Sequence, residues 1–219
     1  SALPRGTVIF GERQFMASGP AIRSTLFVAS VFWLVAGCTA PTDAGAFRTR
    51  LEAPTSTCRD QGGEPAQAAL IARIVELTNR ERQRAGLVPA ALQCADLLQR
   101  VATSHSGDMA RNRSFGHLDS RGMRPLDRVT AAEPSFAGMI AENVAMIAVR
   151  GHRGPSITRS SLVGIDVNEL ADRFVRNWMR SKGHRENILH PRAREIGVGI
   201  AVTADAVYVT QLFSGPPRS

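Results

Sequence analysis

The sequence has few lysine and few aromatic residues, and these shortages argue against a protein that binds nucleic acids. Lys182 is the single lysine among 27 basic residues, and aromatic residues make up only 5% of the chain. Domains that bind nucleic acids usually collect their positive charge on one face and use aromatic side chains for stacking. The arginines here are scattered and often stand beside acidic residues, as in 79–82 and 192–195. Despite the net charge of +8, we expect no nucleic-acid partner, only a loose attraction to anionic envelope polymers or lipid head groups.

The chain also lacks the apolar run of about 20 residues that a membrane-spanning helix needs. Its apolar segment at 26–36 is too short, and it lies between Arg23 and a group of small residues, which is the pattern of a signal peptide. The segment ends in Val-Ala-Gly-Cys at 35–38, which resembles a bacterial lipobox, where the chain is cut before the cysteine and the thiol is acylated. We therefore predict export, with lipid on Cys38 anchoring the protein to the membrane. An ordinary cleaved signal or an uncleaved anchor is the alternative.

Two segments are predicted before the folded domain. Residues 1–37 form an N-terminal extension and a lipoprotein signal peptide, in which Met16 is a more usual start than the residues before it. Residues 38–65 form the lipidated cysteine and a flexible tether rich in Thr, Ala, Pro, Gly and Ser. Because Thr39 rather than an aspartate follows Cys38, we expect the anchor to lie in the outer membrane if the organism is Gram-negative.

Cysteine is scarce, with three residues in the chain. If Cys38 carries lipid, Cys58 and Cys94 are left to form one disulfide in an oxidising compartment. Such a bond would contribute roughly 3–4 kcal/mol by the chain-entropy estimate. The alternative is that the two are unrelated buried thiols.

Helical periodicity is clear in three segments. Apolar residues recur at helical spacing over 66–85 and 95–112, and Gly86 supplies a stop for the first. A third helix is predicted from Asp166, as its N-cap, to Arg180, closed by Gly183.

Near the end of the chain, the helical spacing of apolar residues gives way to patterns typical of β-strands. Residues 196–202 and 207–213 predict a β-hairpin, 141–148 predict a further strand, and 150–164 predict an exposed loop. Helices that frame a small, largely antiparallel sheet give an α+β fold, which we place in one domain at 66–215.

Six short segments, in order, resemble the bacterial members of the cysteine-rich secretory protein, antigen 5 and pathogenesis-related (CAP, or SCP) superfamily. Any one of them is weak evidence, but six in order over 68–214 are specific. The resemblance implies a three-layer α-β-α sandwich. The segments are Asn79–Arg82 with Gly86-Leu87, Ala102–Ala110, Phe115–His117 with Gly122, Pro125 and Arg128, Ala141–Ala145, Trp178–Leu189, and Ile196–Gly199 with Tyr208–Phe213.

Members of the superfamily gather two histidines and two glutamates in a cleft, and the resemblance assigns three of these to His117, Glu142 and His184. The second glutamate usually stands three residues after the tryptophan of the last helix, where this chain has Ser181. Two imidazoles and a carboxylate can hold zinc or another divalent metal, with affinity falling as the pH drops through about 6.5. Supporting positions for such a site are Asn143, Asn187 and Ser181.

A structural role is the alternative for the same residues, since both histidines could hold loops against the sheet and Glu142 could pair with one of them. His105, on the apolar side of the second helix, is interpreted as a packed residue rather than a ligand. Asp108 and Arg128 are interpreted as structural, with a salt bridge between them as the expected contact.

Two functions of different classes follow. The incomplete ligand set favours a non-enzymatic binding module of the cell envelope, which holds a lipid, glycan or protein ligand in the cleft or a neighbouring groove. The alternative is a metal-dependent hydrolase that uses His117, Glu142 and His184, with the glutamate as ligand or base. No Gly-x-Ser-x-Gly motif is present, and neither Cys58 nor Cys94 is expected to be free for nucleophilic attack.

Overall fold

The predicted hairpin forms the middle of the sheet. Strands β4 (Glu195–Val202) and β5 (Ala206–Gly215) pair antiparallel, with Ile196 opposite Phe213. Strand β3 (Met139–Ala148) pairs antiparallel with the other side of β5 and places Glu142 opposite Leu212. All three strands lie within two residues of their predicted bounds.

The computed structural model describes residues 58, 64–89, 91–148, 162 and 165–217, together with the backbone of 8–10. These residues belong to one of two compact units into which the chain divides, and the other unit, 14–55, lies outside them. The predicted signal peptide, Cys38 and most of the predicted loop at 150–164 also lie outside the described residues. Within the described part, no helix is both long and apolar enough to cross a membrane.

Two short strands that the sequence did not predict complete the sheet. Strand β2 (Gln93–Cys94) runs parallel to β4, and strand β1 (Val8–Phe10) runs antiparallel to β3. Strand β1 lies in the predicted extension 1–37, which cleavage before Cys38 would remove, so a chain cut there would keep the four strands β3, β5, β4 and β2. The strand order is β1-β3-β5-β4-β2, so that the sheet of the described residues is largely antiparallel, as expected, with one parallel pair.

One face of the sheet packs against helices α1 (Pro65–Arg84), α4 (Val167–Arg180) and α5 (Lys182–Ile188). The apolar stripe of α4 includes Phe174 and Trp178, both fully buried, and burial of each such side chain contributes roughly 1.5–3 kcal/mol. Asp166 caps α4 by accepting hydrogen bonds from the amides of Asn168 and Glu169 at 2.8 and 3.3 Å.

The predicted last residue of this helix, Arg180, is confirmed, but the prediction that Gly183 closes the helix is wrong. Helix α4 stops before Ser181, and α5 begins one residue later with Gly183 inside it. The segment 184–187, which we expected beyond the end of a helix, is therefore helical.

Helices α2 (Asp96–Asn112) and α3 (Pro125–Ala132) cover the other face. Helix α2 lies very close to β4, because a Cβ on Gly197 would come within 2.3 Å of the Leu98 carbonyl carbon and one on Gly199 within 2.1 Å of that of Ala102. Helix α3 was not predicted. The two faces together form the three-layer α-β-α sandwich, which confirms the expected fold.

Cys58 and Cys94 form a disulfide with their Cα atoms 5.2 Å apart, as predicted. Cys58 is 4% exposed and packs with the core of the α1 and α4 layer. Since Cys94 ends β2, the bond attaches the segment before α1 to the β2 edge of the sheet.

Candidate functional site

The candidate site starts in the loop between α2 and α3, which its own hydrogen bonds hold in shape. Asp119 is buried and accepts hydrogen bonds from the amides of Arg121 and Met123 at 3.0 and 2.8 Å. Burial alone would raise the pKa of Asp119, but these bonds and the Arg121 guanidinium outweigh it and lower the pKa. Asp108 of α2 accepts from the Ser120 amide at 2.8 Å, which ties the loop to the helix. The loop therefore presents His117 in a fixed position.

Arg128 connects this loop to the sheet. Its side chain is 4% exposed, and one guanidinium nitrogen donates to the main-chain oxygens of His117 and Met123 at 2.8 and 2.9 Å. The other terminal nitrogen forms an ion pair with Oε2 of Glu142. One buried cation thus fixes both the loop and the carboxylate.

The carboxylate of Glu142 also contacts His117. Nδ1 of His117 lies 2.9 Å from Oε1 of Glu142, and the imidazole is 23% exposed while the carboxylate is 2% exposed. An ionised carboxylate only accepts hydrogen bonds, so Nδ1 carries the proton and the outer nitrogen, Nε2, is the acceptor of the neutral ring. The pairing of these two predicted residues leaves His117 with one ring edge for an external group.

His105 completes what we call the cleft cluster: His105, His117, Arg128 and Glu142. Its side chain is fully buried, and Nε2 lies 3.0 Å from the Gly116 oxygen and 4.0 Å from Oε1 of Glu142. Burial lowers the pKa of His105, more than the charge of Glu142 raises it. His105 is a packed residue, as interpreted from the sequence, but it packs against the site.

The next residue of β3 organises a second cluster on the opposite face, because side chains alternate along a strand. Asn143 is fully buried and donates to the Gln211 side-chain oxygen at 3.0 Å, and Gln211 donates to Thr78 of α1 at 2.8 Å. Asn187 of α5 donates to the Asn143 side-chain oxygen at 2.9 Å. We call Thr78, Asn143, Asn187 and Gln211 the amide network.

His184 joins this second region through its main chain. It is buried, and its main-chain oxygen accepts from Asn143 at 3.2 Å. Asn187 also donates to the main-chain oxygen of Glu142 at 3.0 Å, so α5 is held to β3 at the two residues that organise the clusters. Asn143 and Asn187, which we expected to support metal ligands, bond to one another and to main-chain groups.

Among the residues that the structure describes, no group of three or more His, Cys, Asp and Glu side chains is placed to hold a metal ion. Glu142 contacts His117 with one oxygen and Arg128 with the other. Ser181 stands at the end of α4, with its hydroxyl oxygen buried and no hydrogen-bond partner.

Arg128 is the residue of the site that sequence analysis assigned elsewhere. The expected pairing of Asp108 with Arg128 is wrong, since Asp108 contacts Ser120 and lies 3.8 Å from Arg111. Pro125 and Arg128 were single positions in the family resemblance, and that was the available signal.

A separate groove of about 400 Å³ lies at one end of the sheet. Its lining includes none of the cleft cluster. Part of the lining is Pro89, Gln93, Phe136, Arg194, Glu195 and Ser214.

Comparison with known proteins points to one family. The model of the cysteine-rich secretory protein family, CAP, matches residues 75–213, which is more than half of the chain. Among curated proteins, the chain is 32% identical over 176 residues to YkwD, an uncharacterized protein of Bacillus subtilis strain 168. That match covers 80% of this chain and 55% of YkwD, so the chain spans about half the length of this relative.

Two solved structures are also similar. An outer surface protein from Borrelia burgdorferi matches at 22% identity and a TM-score of 0.49, over 69% of this chain and 92% of that one. The crystal structure of NaASP2 with Zn²⁺ matches at 16% identity and a TM-score of 0.44, over 74% of this chain and 85% of that one.

Proposed function

The chain belongs to the cysteine-rich secretory protein (CAP) family, and we propose that it acts in the cell envelope as a lipid-anchored binding module rather than as an enzyme. The basic residue, short apolar segment and lipobox-like 35–38 support export and lipid on Cys38. The disulfide between Cys58 and Cys94 supports the same compartment, because such bonds persist where the surroundings are oxidising.

The observation that carries the binding role is the state of Glu142. A hydrolase would need this carboxylate as a metal ligand or as a general base toward water. In this chain, Glu142 is 5% exposed, one oxygen contacts His117 and the other is paired with Arg128. The carboxylate therefore orients His117 instead of facing a substrate, and the metal-dependent hydrolase is not the function that we propose.

The surface beside His117 supports contact with an envelope ligand. The imidazole of His117 is 23% exposed, Leu118, the next residue of the loop, is 57% exposed, and Leu126 in the first turn of α3 is 46% exposed. A partly exposed imidazole among exposed apolar side chains can give a ligand one hydrogen bond and apolar contact. We propose a lipid, glycan or protein component of the envelope as that ligand.

The binding role is tested by native mass spectrometry of the protein extracted from envelopes, before and after a chelator. We expect a bound non-metal species that survives the chelator and falls at least several-fold in His117→Gln. Arg176→Ala, which changes an exposed residue of α4, is the matched control and should keep full occupancy. A bound species that leaves with the chelator, or that is recovered cleaved, would support the hydrolase instead.

The anchor is tested separately through Cys38. In the native organism, Cys38→Ala should abolish labelling with a palmitate analogue and release the protein from membranes. Fractionation of the wild type then shows which membrane holds the anchor. Undiminished labelling of Cys38→Ala would contradict the proposed lipid anchor but would not affect the proposed binding role.

A further inference from the structure

The charges around the cleft cluster are balanced. Glu142 and Arg128 form a buried ion pair, and burial favours the neutral form of His105. The carboxylates of the adjoining loop and helix also have cations close by, at 2.8 Å for Asp119 with Arg121 and 3.8 Å for Asp108 with Arg111. A divalent cation approaching Glu142 therefore meets no uncompensated negative charge in the described residues around it.

The number of side chains available as metal ligands also argues against a metal site. With Glu142 held between His117 and Arg128, the predicted ligand set of three loses its carboxylate. Ser181 takes the position at which the family pattern has a second glutamate. Zinc sites in proteins use three or four protein ligands, and two histidines fall short of that number.

A competing interpretation is that His117 binds a metal ion and Glu142 supports it. A metal-bound histidine commonly donates its other ring N–H to a carboxylate, which is the bond between His117 and Glu142. Under that interpretation the metal lies on Nε2 of His117, and Glu142 strengthens the ligand from behind. Arg128 distinguishes the two, because its charge makes Glu142 a weaker acceptor for the imidazole N–H and repels a cation nearby.

We propose that Arg128 is the residue that selects against divalent metals in this chain: its fixed guanidinium balances Glu142, as a metal ion would otherwise do. The guanidinium cannot leave, since it is buried and also bonded to the main chain of His117 and Met123. This proposal goes beyond the binding role and does not depend on it.

The test is calorimetric titration of zinc into the full chain and three variants. R128Q removes the charge and keeps a hydrogen-bond donor, and we expect it to bind zinc at least tenfold more tightly than the wild type. R128K keeps the charge and should bind no more tightly than the wild type. The double variant R128Q/E142Q should lose the gain, because the new site would use the Glu142 carboxylate. Other zinc sites on the chain contribute equally in all four proteins and cancel.

Two results would overturn the proposal. One is a wild-type affinity equal to that of R128Q, and the other is a loss of zinc binding in R128Q, which would show that Arg128 supports a metal-bearing histidine. A measurement on the wild type covers the case in which R128Q does not fold. In ¹⁵N spectra with one equivalent of zinc, the Nε2 signal of His117 should stay unchanged, and a coordination shift there would refute the proposal.

Discussion

Glu142 and Asn143 are neighbours on β3, yet they organise buried polar groups of opposite kinds. The cleft cluster on the face of α2 and α3 depends on one ion pair between Arg128 and Glu142. The amide network on the other face is uncharged, and its hydrogen bonds run in series from Asn187 through Asn143 and Gln211 to Thr78. The two clusters lie on opposite faces of the sheet because the side chains of consecutive residues in β3 point in opposite directions.

Because one region is charged and the other neutral, the loss of one residue should destabilise the two regions by different amounts. Removal of one ion-pair partner leaves an uncompensated buried charge, which is much more costly than a missing neutral hydrogen bond. In the amide network, each lost member leaves one or two dipoles without a partner, and its cost does not change with pH. The cleft cluster, in contrast, contains His105, whose pKa is lowered by burial, so its contribution to stability depends on pH.

The largest loss of stability is expected when the ion pair of the cleft cluster is broken. Arg128→Ala should lower the free energy of unfolding by about 3–5 kcal/mol, because it leaves the Glu142 carboxylate buried without its cation. Urea unfolding measures the loss. Arg100→Ala, at an exposed residue of α2, should cost less than about 0.5 kcal/mol. Adding Glu142→Gln to Arg128→Ala should recover much of the loss, and a double variant as unstable as the single one would contradict the ion-pair explanation.

A smaller effect is expected from breaking the neutral side. Gln211→Leu keeps most of the volume but leaves Asn143 and Thr78 each short of a partner, at roughly 1–3 kcal/mol for an unsatisfied group. Gln83→Leu, on the exposed surface of α1, is the control and should be nearly neutral. The loss should be the same at pH 7.5 and pH 5.5. A strong pH dependence would mean that the two clusters are not independent.

The smallest effect concerns pH and His105. Because burial lowers the pKa of His105 in the folded protein, the unfolded chain takes up the proton first as the pH falls. Stability from this residue is complete above the unfolded pKa of about 6.5 and is lost as the pH drops below it, by at most about 1.4 kcal/mol per pH unit. His105→Gln should flatten this part of the profile in urea unfolding between pH 7.5 and 5.5. Identical slopes for the two proteins would remove His105 as the source.

The sequence predicted the elements whose periodicity is strong, and it failed where elements are short. Helices α1, α2 and α4 and the β4–β5 hairpin lie within a few residues of their predicted bounds. Helix α3 has eight residues and buries only Arg128 and Val129, so it carries almost no apolar pattern. Gly183 was taken as a stop, but its backbone is not left-handed, and the break lies at Ser181.

The candidate site was predictable only in part for a related reason. The resemblance brought out His117 and Glu142, which the structure joins. No local pattern shows that the guanidinium of Arg128 reaches a carboxylate on another element, since the pairing depends on how α3 packs beside β3. Likewise, alternation places Glu142 and Asn143 on opposite faces, but it does not show which helices supply their partners.

If Cys38 carries the proposed lipid, the disulfide has a mechanical consequence. Tension along the tether would enter the fold at Cys58 and pass through the covalent bond to Cys94 at the β2 edge, before it reaches the first turn of α1. The roughly 20 residues from Cys38 to Cys58 can extend to at most about 70 Å. The bond would then fix the folded end of such a tether at Cys58 and transfer tension to the sheet, which would protect α1 from being pulled away from the domain.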